Sequence, residues 1–188
     1  MRGYFGVGLE QSSKPMNAGN LFRPAHAFGA NFIFTVNTEY SVKKAKSDTS
    51  SAPRNIPWYD YECAEELKLP DGCSLVGVEL LEEAVELPVF RHPLNAAYIL
   101  GPELGNLSPE ILERCKHVVK IPTHFSLNVA TTGAIILYDR IRSMGNFGKR
   151  PTPTLSEPLP PMKHVQGSSL RRKRKNELRC ILKNRGCY

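Results

Sequence analysis

The chain has 188 residues, of which 41% are hydrophobic and 23% charged, and its formal net charge is +7. This length suits one domain of ordinary size, so we expect no second hydrophobic core. The sequence holds no apolar run long enough to span a bilayer and no recognisable secretory signal, so we expect a soluble, cytoplasmic protein without membrane contact.

Short apolar segments alternate along the chain with helical or polar segments. This alternation is typical of an α/β fold in which helices cover both faces of a mostly parallel sheet. A stretch rich in Ser, Lys and Pro, Ser41–Pro57, predicts a surface loop. Ile56–Tyr61 predicts an additional short strand. Its aromatic side chains are expected to pack, with stacking on a nucleic-acid base as the alternative. The main predicted strands are Tyr4–Leu9, Phe32–Val36, Ser74–Leu80, Ala97–Leu100 and Val118–Ile121.

Near the start, the segment PMNAGNLFRPAHAFG (residues 15–29) combines amides, one arginine and small residues. Its pattern places Asn17 and Asn20 before a short helix that carries Arg23. On these residues alone, Arg23 is better explained as a surface charge on a helix.

The segment AYILGPELGNLS (residues 97–108) predicts a buried strand that runs into a tight turn. Gly101, Pro102 and Gly105 form the turn, and Glu103 lies at its tip. A side chain at position 101 would crowd a ligand that approaches the backbone. Taken by itself, Glu103 is explained as a solvated turn carboxylate.

The segment IPTHFSLNVATTGAIILYDRIR (residues 121–142) predicts a strand end, a polar turn and a helix. Ser126 stands where the residue that caps a helix N-terminus is expected. A cap hydroxyl and the free N–H groups behind it can close the helix or hold a ligand. One helix face is expected to be buried, because apolar residues recur at spacings of three and four: Leu127, Ala130, Ala134, Leu137 and Ile141.

These three segments, in this order, resemble the SpoU/TrmH branch of the SPOUT superfamily of RNA methyltransferases. The likeness rests on residues 17–23 followed by Phe28–Gly29, on residues 101–107, and on Ile121–Pro122 with residues 126–128. It extends from residue 4 to about residue 142. The resemblance implies a deep trefoil knot at the C-terminal side, a homodimer, S-adenosylmethionine as cofactor and RNA as partner, with tRNA favoured over rRNA.

The resemblance also implies roles for individual residues in methyl transfer to a ribose 2′-hydroxyl. Arg23 would fix the target phosphate and polarise the hydroxyl, and whether it also accepts the proton is left open. Asn17 would orient Arg23 or the ribose, Glu103 would hold its turn, and Ser126 with Asn128 would shape the pocket. The cofactor is expected to contact mainly backbone groups of Val78, Leu100, Gly101, Ile121, Ser126 and Leu127.

Two residues depart from the family pattern. Pro24 directly follows Arg23, and a proline inside a helix pushes the preceding residue toward extended geometry. His26 stands where an acidic residue is common. Two alternatives therefore stay open: a catalytically silent RNA-binding protein of the same fold, and a methyltransferase that acts on a base or a protein. The sequence has neither a G-x-G-x-x-G followed by a helix nor a P-loop, which argues against a dinucleotide or nucleoside-triphosphate site.

The cysteines and histidines give no sign of a metal or redox site. The 5 cysteines are odd in number and form no C-x-x-C pair, and the 5 histidines show no ligand spacing. Lone cysteines are usually buried and inert. We therefore expect no disulfide framework, no metal site and no catalytic cysteine.

The basic excess is concentrated in residues 149–188, which hold 11 of the 25 Lys and Arg but only 2 of the 18 acidic residues. This segment begins Pro-rich and ends in the run RRKRKNELRCILKNR. Low hydrophobicity with high charge is typical of chains that do not fold unaided, and a polycation attracts phosphate backbones without reading sequence. We expect a methyltransferase-like domain at 1–148 and a disordered basic tail at 149–188 that contacts RNA, with an ordinary solvated tail as the alternative.

Overall fold

The computed structural model describes residues 3–12, 15–38, 52–102 and 105–145. The predictions for Glu103 and for the basic tail at 149–188 concern residues outside these ranges and stay predictions. The division of the chain at residue 148 also stays a prediction.

Strands and helices alternate along the described residues. A loop was expected over Ser41–Pro57; residues 41–51 lie outside the described ranges, and the rest begins with helix α2, whose Ala52 is fully buried in the core. The elements are β1 (Phe5–Glu10), α1 (Pro15–Ala27), β2 (Phe32–Val36), α2 (Ala52–Asn55), β3 (Trp58–Tyr61), β4 (Ser74–Val78), β5 (Val85–Glu86), β6 (Ala96–Leu100), α3 (Pro109–Arg114), β7 (His117–Lys120) and α4 (Val129–Met144).

The strands of the described chain form one 7-stranded sheet in the order β3-β2-β1-β6-β4-β7-β5, and every neighbouring pair is parallel. The prediction of a mostly parallel α/β sheet is confirmed. The sequence missed β5 and α3, because 2 and 6 residues are too few for a periodic pattern. The trefoil knot stays a prediction.

The sheet supports two separate cores, because successive side chains of a strand point to opposite faces. On one face, α1, α2 and α4 pack on β1, β2, β6 and β4 through residues such as Val7 and Ile33. On the other face, α3 and the loop around Leu67 pack on β2, β4 and β6 through residues such as Phe34 and Ile99. Helices therefore cover both faces, as predicted.

The aromatic residues of β3 pack as predicted, with one exception. Trp58 is packed against the first core and its Nε1 donates to Thr35 Oγ1 at 3.1 Å. Tyr61 is packed against the second core and its hydroxyl donates to the Lys68 carbonyl at 2.9 Å. Tyr59 lies between them on the strand and remains 50% exposed.

Helix α1 starts earlier than predicted. It begins at Pro15, so Asn17 and Asn20 lie within it and not before it. Proline suits the first helical position, because its missing N–H has no partner there in any case. The helix also continues past Pro24, whose carbonyl accepts from the Phe28 N–H at 2.9 Å. The expected shift of the preceding residue toward extended geometry therefore does not occur.

The residue that caps α4 is Asn128, and the assignment of Ser126 as the cap is wrong. Asn128 Oδ1 accepts a hydrogen bond from the Ala130 N–H at 2.9 Å, which closes the first helical turn. Ser126 lies two residues earlier in the irregular segment that leads into the helix. Both side chains suit a cap, and only the point at which the backbone turns helical distinguishes them.

The buried stripe of α4 is displaced by one residue from the predicted stripe. Ala130, Ala134 and Ile141 are only partly buried. Gly133 is buried because α1 crosses there: a Cβ at this position would lie 2.2 Å from Leu21 Cδ1. Apolar spacing could not distinguish the two stripes, since both are largely apolar. The buried residues are Val129, Gly133, Ile136, Leu137 and Arg140.

Arg140 is only 2% exposed and lies at the amino end of the sheet. Its guanidinium donates to the carbonyls of Pro93 and Leu94, each at 2.7 Å, and to that of Tyr4 at 3.3 Å. A buried charge is tolerated where its donors are satisfied in this way. Arg140 thus joins α4 to the segments that precede β1 and β6.

His92 and Tyr98 extend this network. Arg140 Nη1 donates to Tyr98 Oη at 3.1 Å, Tyr98 Oη lies 2.6 Å from His92 Nδ1, and His92 Nε2 lies 3.0 Å from Asp139 Oδ2. Since Tyr98 accepts from arginine, its own hydrogen goes to Nδ1, and the N–H of a neutral imidazole then donates to Asp139. Burial lowers the pKa of His92 against the opposing effect of Asp139, and burial raises the pKa of Tyr98 to about 12.

Candidate active site

A cavity of about 360 Å³ opens at the carboxyl end of the sheet. It is bordered by the ends of β4, β6 and β7 and by the first turn of α4. In open parallel sheets, ligands bind outside the carboxyl ends of the strands. The volume also lies within the range of about 300–1,000 Å³ that is usual for small-molecule sites.

This cavity brings together all the residues that the sequence assigned to the cofactor. They come from separate parts of the chain, and they meet because β6, β4 and β7 are neighbours in the sheet. The residues are Val78 and Leu100 at the ends of β4 and β6, Gly101 and Ile121 just beyond β6 and β7, and Ser126 and Leu127 in the segment before α4.

Gly101 allows two segments to approach each other at the cavity wall. A Cβ at this position would lie 3.0 Å from the Leu107 backbone nitrogen, 3.3 Å from the Asn106 carbonyl carbon and 3.4 Å from Glu79 Oε2. The fold-back of the loop therefore already requires glycine at this position, whether or not a ligand is bound. Irregular backbone at the rim and apolar side chains such as Leu127 form a cradle that fits a nucleoside-sized ligand such as S-adenosylmethionine.

The segment between β7 and α4 forms another wall of the cavity. Thr123 Oγ1 donates to the Phe125 carbonyl at 2.8 Å, which holds a local turn in this segment. Ser126 is exposed and lines the cavity. Asn128 acts at the end of the segment, where its cap fixes the start of α4 and therefore the position of Val129 in the wall.

Arg23 and Asn17 are not among the residues that line this cavity. Arg23 is exposed on α1, and Asn17 is 8% exposed on the same helix. Among the predicted catalytic residues that the structure describes, Ser126 is thus the one that lines the cavity. Glu103 lies outside the described residues.

Five polar residues of the cavity were missed in the sequence: Glu79, Asn106, Lys120, Thr123 and Thr132. Glu79 follows β4 directly, Lys120 ends β7, and Thr132 lies in the first turn of α4. Lys120 Nζ donates to the carbonyls of Leu81 at 3.0 Å and Glu82 at 2.7 Å, so it holds the loop after β4. A polar residue at the carboxyl end of a predicted parallel strand is the signal that would have identified Glu79 and Lys120.

Other kinds of site find no support in the described ranges. They contain no group of three or more His, Cys, Asp or Glu side chains placed to hold a metal ion. Burial raises the pKa of the Cys115 thiol to about 12, so it stays protonated at neutral pH. None of the helices that the structure describes has the length and apolar character needed to cross a membrane.

The fold and cavity define a parallel α/β protein with a cofactor-sized site at the carboxyl ends of its strands. Residues 4–138 match the model of the SpoU rRNA Methylase family, and the chain belongs to that family. The resemblance found in the three sequence segments is therefore confirmed.

Known relatives agree with this assignment. The chain is 28% identical over 150 residues to a tRNA (guanosine(18)-2′-O)-methyltransferase of Aquifex aeolicus, covering 75% of this chain and 70% of the relative. It is 25% identical over 138 residues to the tRNA (guanosine(18)-2′-O)-methyltransferase TARBP1 of Mus musculus, covering 69% of this chain but only 9% of that protein. The SpoU methyltransferase AviRb from Streptomyces viridochromogenes, solved with AdoMet, has the same fold: TM-score 0.64, 21% identity, 76% of this chain and 61% of AviRb.

Proposed function

We propose that the protein is an S-adenosylmethionine-dependent RNA methyltransferase that acts on a ribose 2′-hydroxyl. The observation that carries this proposal is the cavity, which gathers all the cofactor residues of the family pattern at the carboxyl ends of β4, β6 and β7. Membership of the SpoU rRNA Methylase family supports it. When bound there, S-adenosylmethionine supplies an activated methyl group on a sulfonium.

The walls of the cavity have two tasks in this proposal. The side chains of Val78, Leu100 and Leu127 exclude water from the ligand, which strengthens nearby hydrogen bonds. The irregular backbone at Gly101 and Ile121 offers N–H and C=O groups that orient it. This division suits a ligand with an apolar ring and polar edges.

Arg23 binds the RNA phosphate beside the target ribose in this proposal. Its guanidinium is exposed, and its planar fork matches a phosphate bidentately. The same contact polarises the adjacent hydroxyl. Because α1 stays regular past Pro24, the specific reason to suspect a catalytically silent protein loses its support.

The active form is proposed to be a homodimer in which Arg23 of one protomer serves the cavity of the other. Arg23 does not line the cavity of its own protomer. Helix α4 also presents an apolar outer face, with Ile135 36% and Tyr138 54% exposed. The Phe28 ring lies 6.5 Å from that of Tyr138, which extends this face to the end of α1. Such apolar faces are what obligate dimers bury.

The proposed substrate is tRNA, with rRNA as the other candidate. The relatives from Aquifex aeolicus and mouse are both named as tRNA methyltransferases, whereas the matched family is described by rRNA. The basic segment at 149–188 is proposed to hold the RNA backbone by charge. The cytoplasmic location stays a prediction.

Methyl transfer is tested directly with labelled S-adenosylmethionine and total RNA from cells that lack the protein. The wild-type chain is expected to yield a 2′-O-methylated nucleotide on digestion, and mapping names the RNA. Arg23→Ala is expected to lower transfer at least about 100-fold while cofactor binding is kept, since only the phosphate contact is lost. Arg91→Ala, an exposed arginine elsewhere, is the control and keeps full activity.

Two outcomes contradict the proposal. A label found on a base or a protein would identify a different acceptor. Cofactor binding without transfer to any RNA would point to the silent binding protein.

The dimer is tested by sedimentation of Tyr138→Glu, which places a charge on the apolar face of α4. The variant is expected to sediment as a monomer, whereas Val89→Lys, at a side chain 73% exposed elsewhere, leaves the dimer intact. Mixing Arg23→Ala with Gly101→Val is expected to restore part of the activity, because one composite site in the mixed dimer is whole. A monomeric wild type would refute the shared site.

A further inference from the structure

Glu10 and Glu79 occupy equivalent positions on the two strands that flank β6. Leu100, the last residue of β6, pairs with Leu9 of β1 on one side and with Val78 of β4 on the other. Glu10 and Glu79 are the next residues along these two strands. The register therefore places a carboxylate on each side of the loop that leaves β6.

Both carboxylates accept hydrogen bonds from that loop. Glu79 Oε2 accepts from the Leu107 N–H at 2.9 Å, and Glu10 Oε2 accepts from the Ser108 N–H at 2.9 Å. Two consecutive amides are thus held from two different strands. Hydrogen bonds to a charged acceptor are roughly twice as strong as neutral ones, so this pair fixes the end of the loop firmly.

The two carboxylates differ in their relation to the cavity. Glu10 is 2% exposed and is not among the residues that line the cavity. Glu79 is partly exposed and does line it, and its Oε1 accepts from the Leu80 N–H at 2.9 Å. Glu79 therefore ties the loop after β4 to the loop after β6, two segments that both contribute to the cavity wall.

We propose that Glu10 and Glu79 are positioning residues for the cofactor. By holding the amides of Leu107 and Ser108, they set the fold-back of the loop over Gly101, where a Cβ would already lie 3.0 Å from the Leu107 nitrogen. The inference rests on the proposed use of S-adenosylmethionine. The hold on the loop, however, is measurable without any ligand.

Glu10 gives the cleaner test, because an effect of this residue on the cavity must pass through the loop. Glu10→Met is expected to raise the Kd for S-adenosylhomocysteine about tenfold in calorimetry and to speed amide hydrogen exchange in residues 105–108 by about tenfold. Glu10→Gln keeps an acceptor oxygen and is expected to restore most of both values. Unchanged Kd and exchange in a folded Glu10→Met would overturn the proposal.

If Glu10→Met does not fold, Glu79→Gln is used to test the proposal instead, because Glu79 is partly exposed. Glutamine replaces one of its two acceptor oxygens with a donor, so one amide contact is lost. The Kd values of S-adenosylmethionine and S-adenosylhomocysteine are expected to rise by the same factor, about tenfold, while the exposed control Glu83→Gln leaves both unchanged. A loss confined to the sulfonium form would mean that the charge acts on the cofactor directly, which refutes a positioning role.

The two proposals fail in distinguishable ways. If the wild-type chain binds neither form of the cofactor, the proposed function fails, and the exchange of the 105–108 amides still decides whether the carboxylates hold the loop. If the wild type binds the cofactor and the variants match it in both measurements, only the positioning role fails.

Discussion

The two ends of the sheet use charged side chains in opposite ways. At the amino end, Arg140 donates to the carbonyls that precede β1 and β6. At the carboxyl end, Glu10 and Glu79 accept from the amides of the loop after β6. A cation holds C=O groups at one end, and anions hold N–H groups at the other.

The two ends differ in whether the space beside the charged side chains is filled or open to a ligand. Around Arg140, the rings of Phe5 and Tyr98 lie within 5.1 and 5.8 Å of the guanidinium and fill the space. Around Glu79, the held loops enclose a cavity of about 360 Å³. The amino end is therefore built for stability, whereas the carboxyl end combines fixed loops with room for a ligand. Substitutions at the two ends should separate stability from ligand binding.

Arg140→Met is expected to have the largest effect. It leaves the carbonyls of Tyr4, Pro93 and Leu94 without their donor in the protein interior, so the free energy of unfolding should fall by at least about 3 kcal/mol. Urea unfolding measures this loss. The fraction that stays folded at low temperature should bind S-adenosylhomocysteine with wild-type affinity, and a matching loss of affinity would break the separation of the two ends.

Gly101→Ala is expected to show the opposite pattern. The added Cβ presses on the backbone of Asn106 and Leu107, so the loop must shift at the cavity wall. We expect the Kd for S-adenosylhomocysteine to rise about tenfold, which corresponds to about 1.4 kcal/mol, with a smaller change in the free energy of unfolding. Calorimetry and urea unfolding on the same preparation decide this. Strong destabilisation with normal binding would contradict the assignment.

The smallest expected effect is a pH dependence of stability from His92. Burial lowers its pKa in the folded state below the ordinary value of 6.5, so below about pH 6.5 the unfolded chain binds a proton that the folded chain does not. Stability from this residue is complete above that value and is lost as the pH falls, by at most about 1.4 kcal/mol per pH unit. His92→Leu should show a flatter profile between pH 7.5 and 5.5 in urea unfolding. An equal slope in both proteins would exclude His92 as the cause.

Most of the sheet could be predicted from the sequence because β1, β2, β4 and β6 are buried on both faces and therefore read as nearly uniform apolar runs. The residues predicted to contact the cofactor could be grouped for a related reason: parallel strands bring their carboxyl ends to one edge, so Val78, Leu100 and Ile121 had to be near one another. The resemblance supplied what these patterns could not, namely which chemistry is proposed for this edge.

The errors have a common physical origin in contacts between distant residues. Burial of Arg140 depends on carbonyls that lie 46 to 136 residues away, so no local pattern predicts it. The buried stripe of α4 was misplaced because the close approach of Leu21 to Gly133 decides it. Glu10 and Glu79 were overlooked because their common partner loop is visible only once the strand order is known.

The strand order also determines when the fold can form. β1 lies beside β6 in the middle of the sheet, and β6 begins at Ala96, so the central pair joins segments about 90 residues apart. Arg140, which joins α4 to the segments that precede β1 and β6, lies still farther along the chain. During synthesis, the edge of β1 that pairs with β6 therefore stays unpaired until nearly the whole domain has emerged, and an unpaired strand edge is prone to pair with other strands.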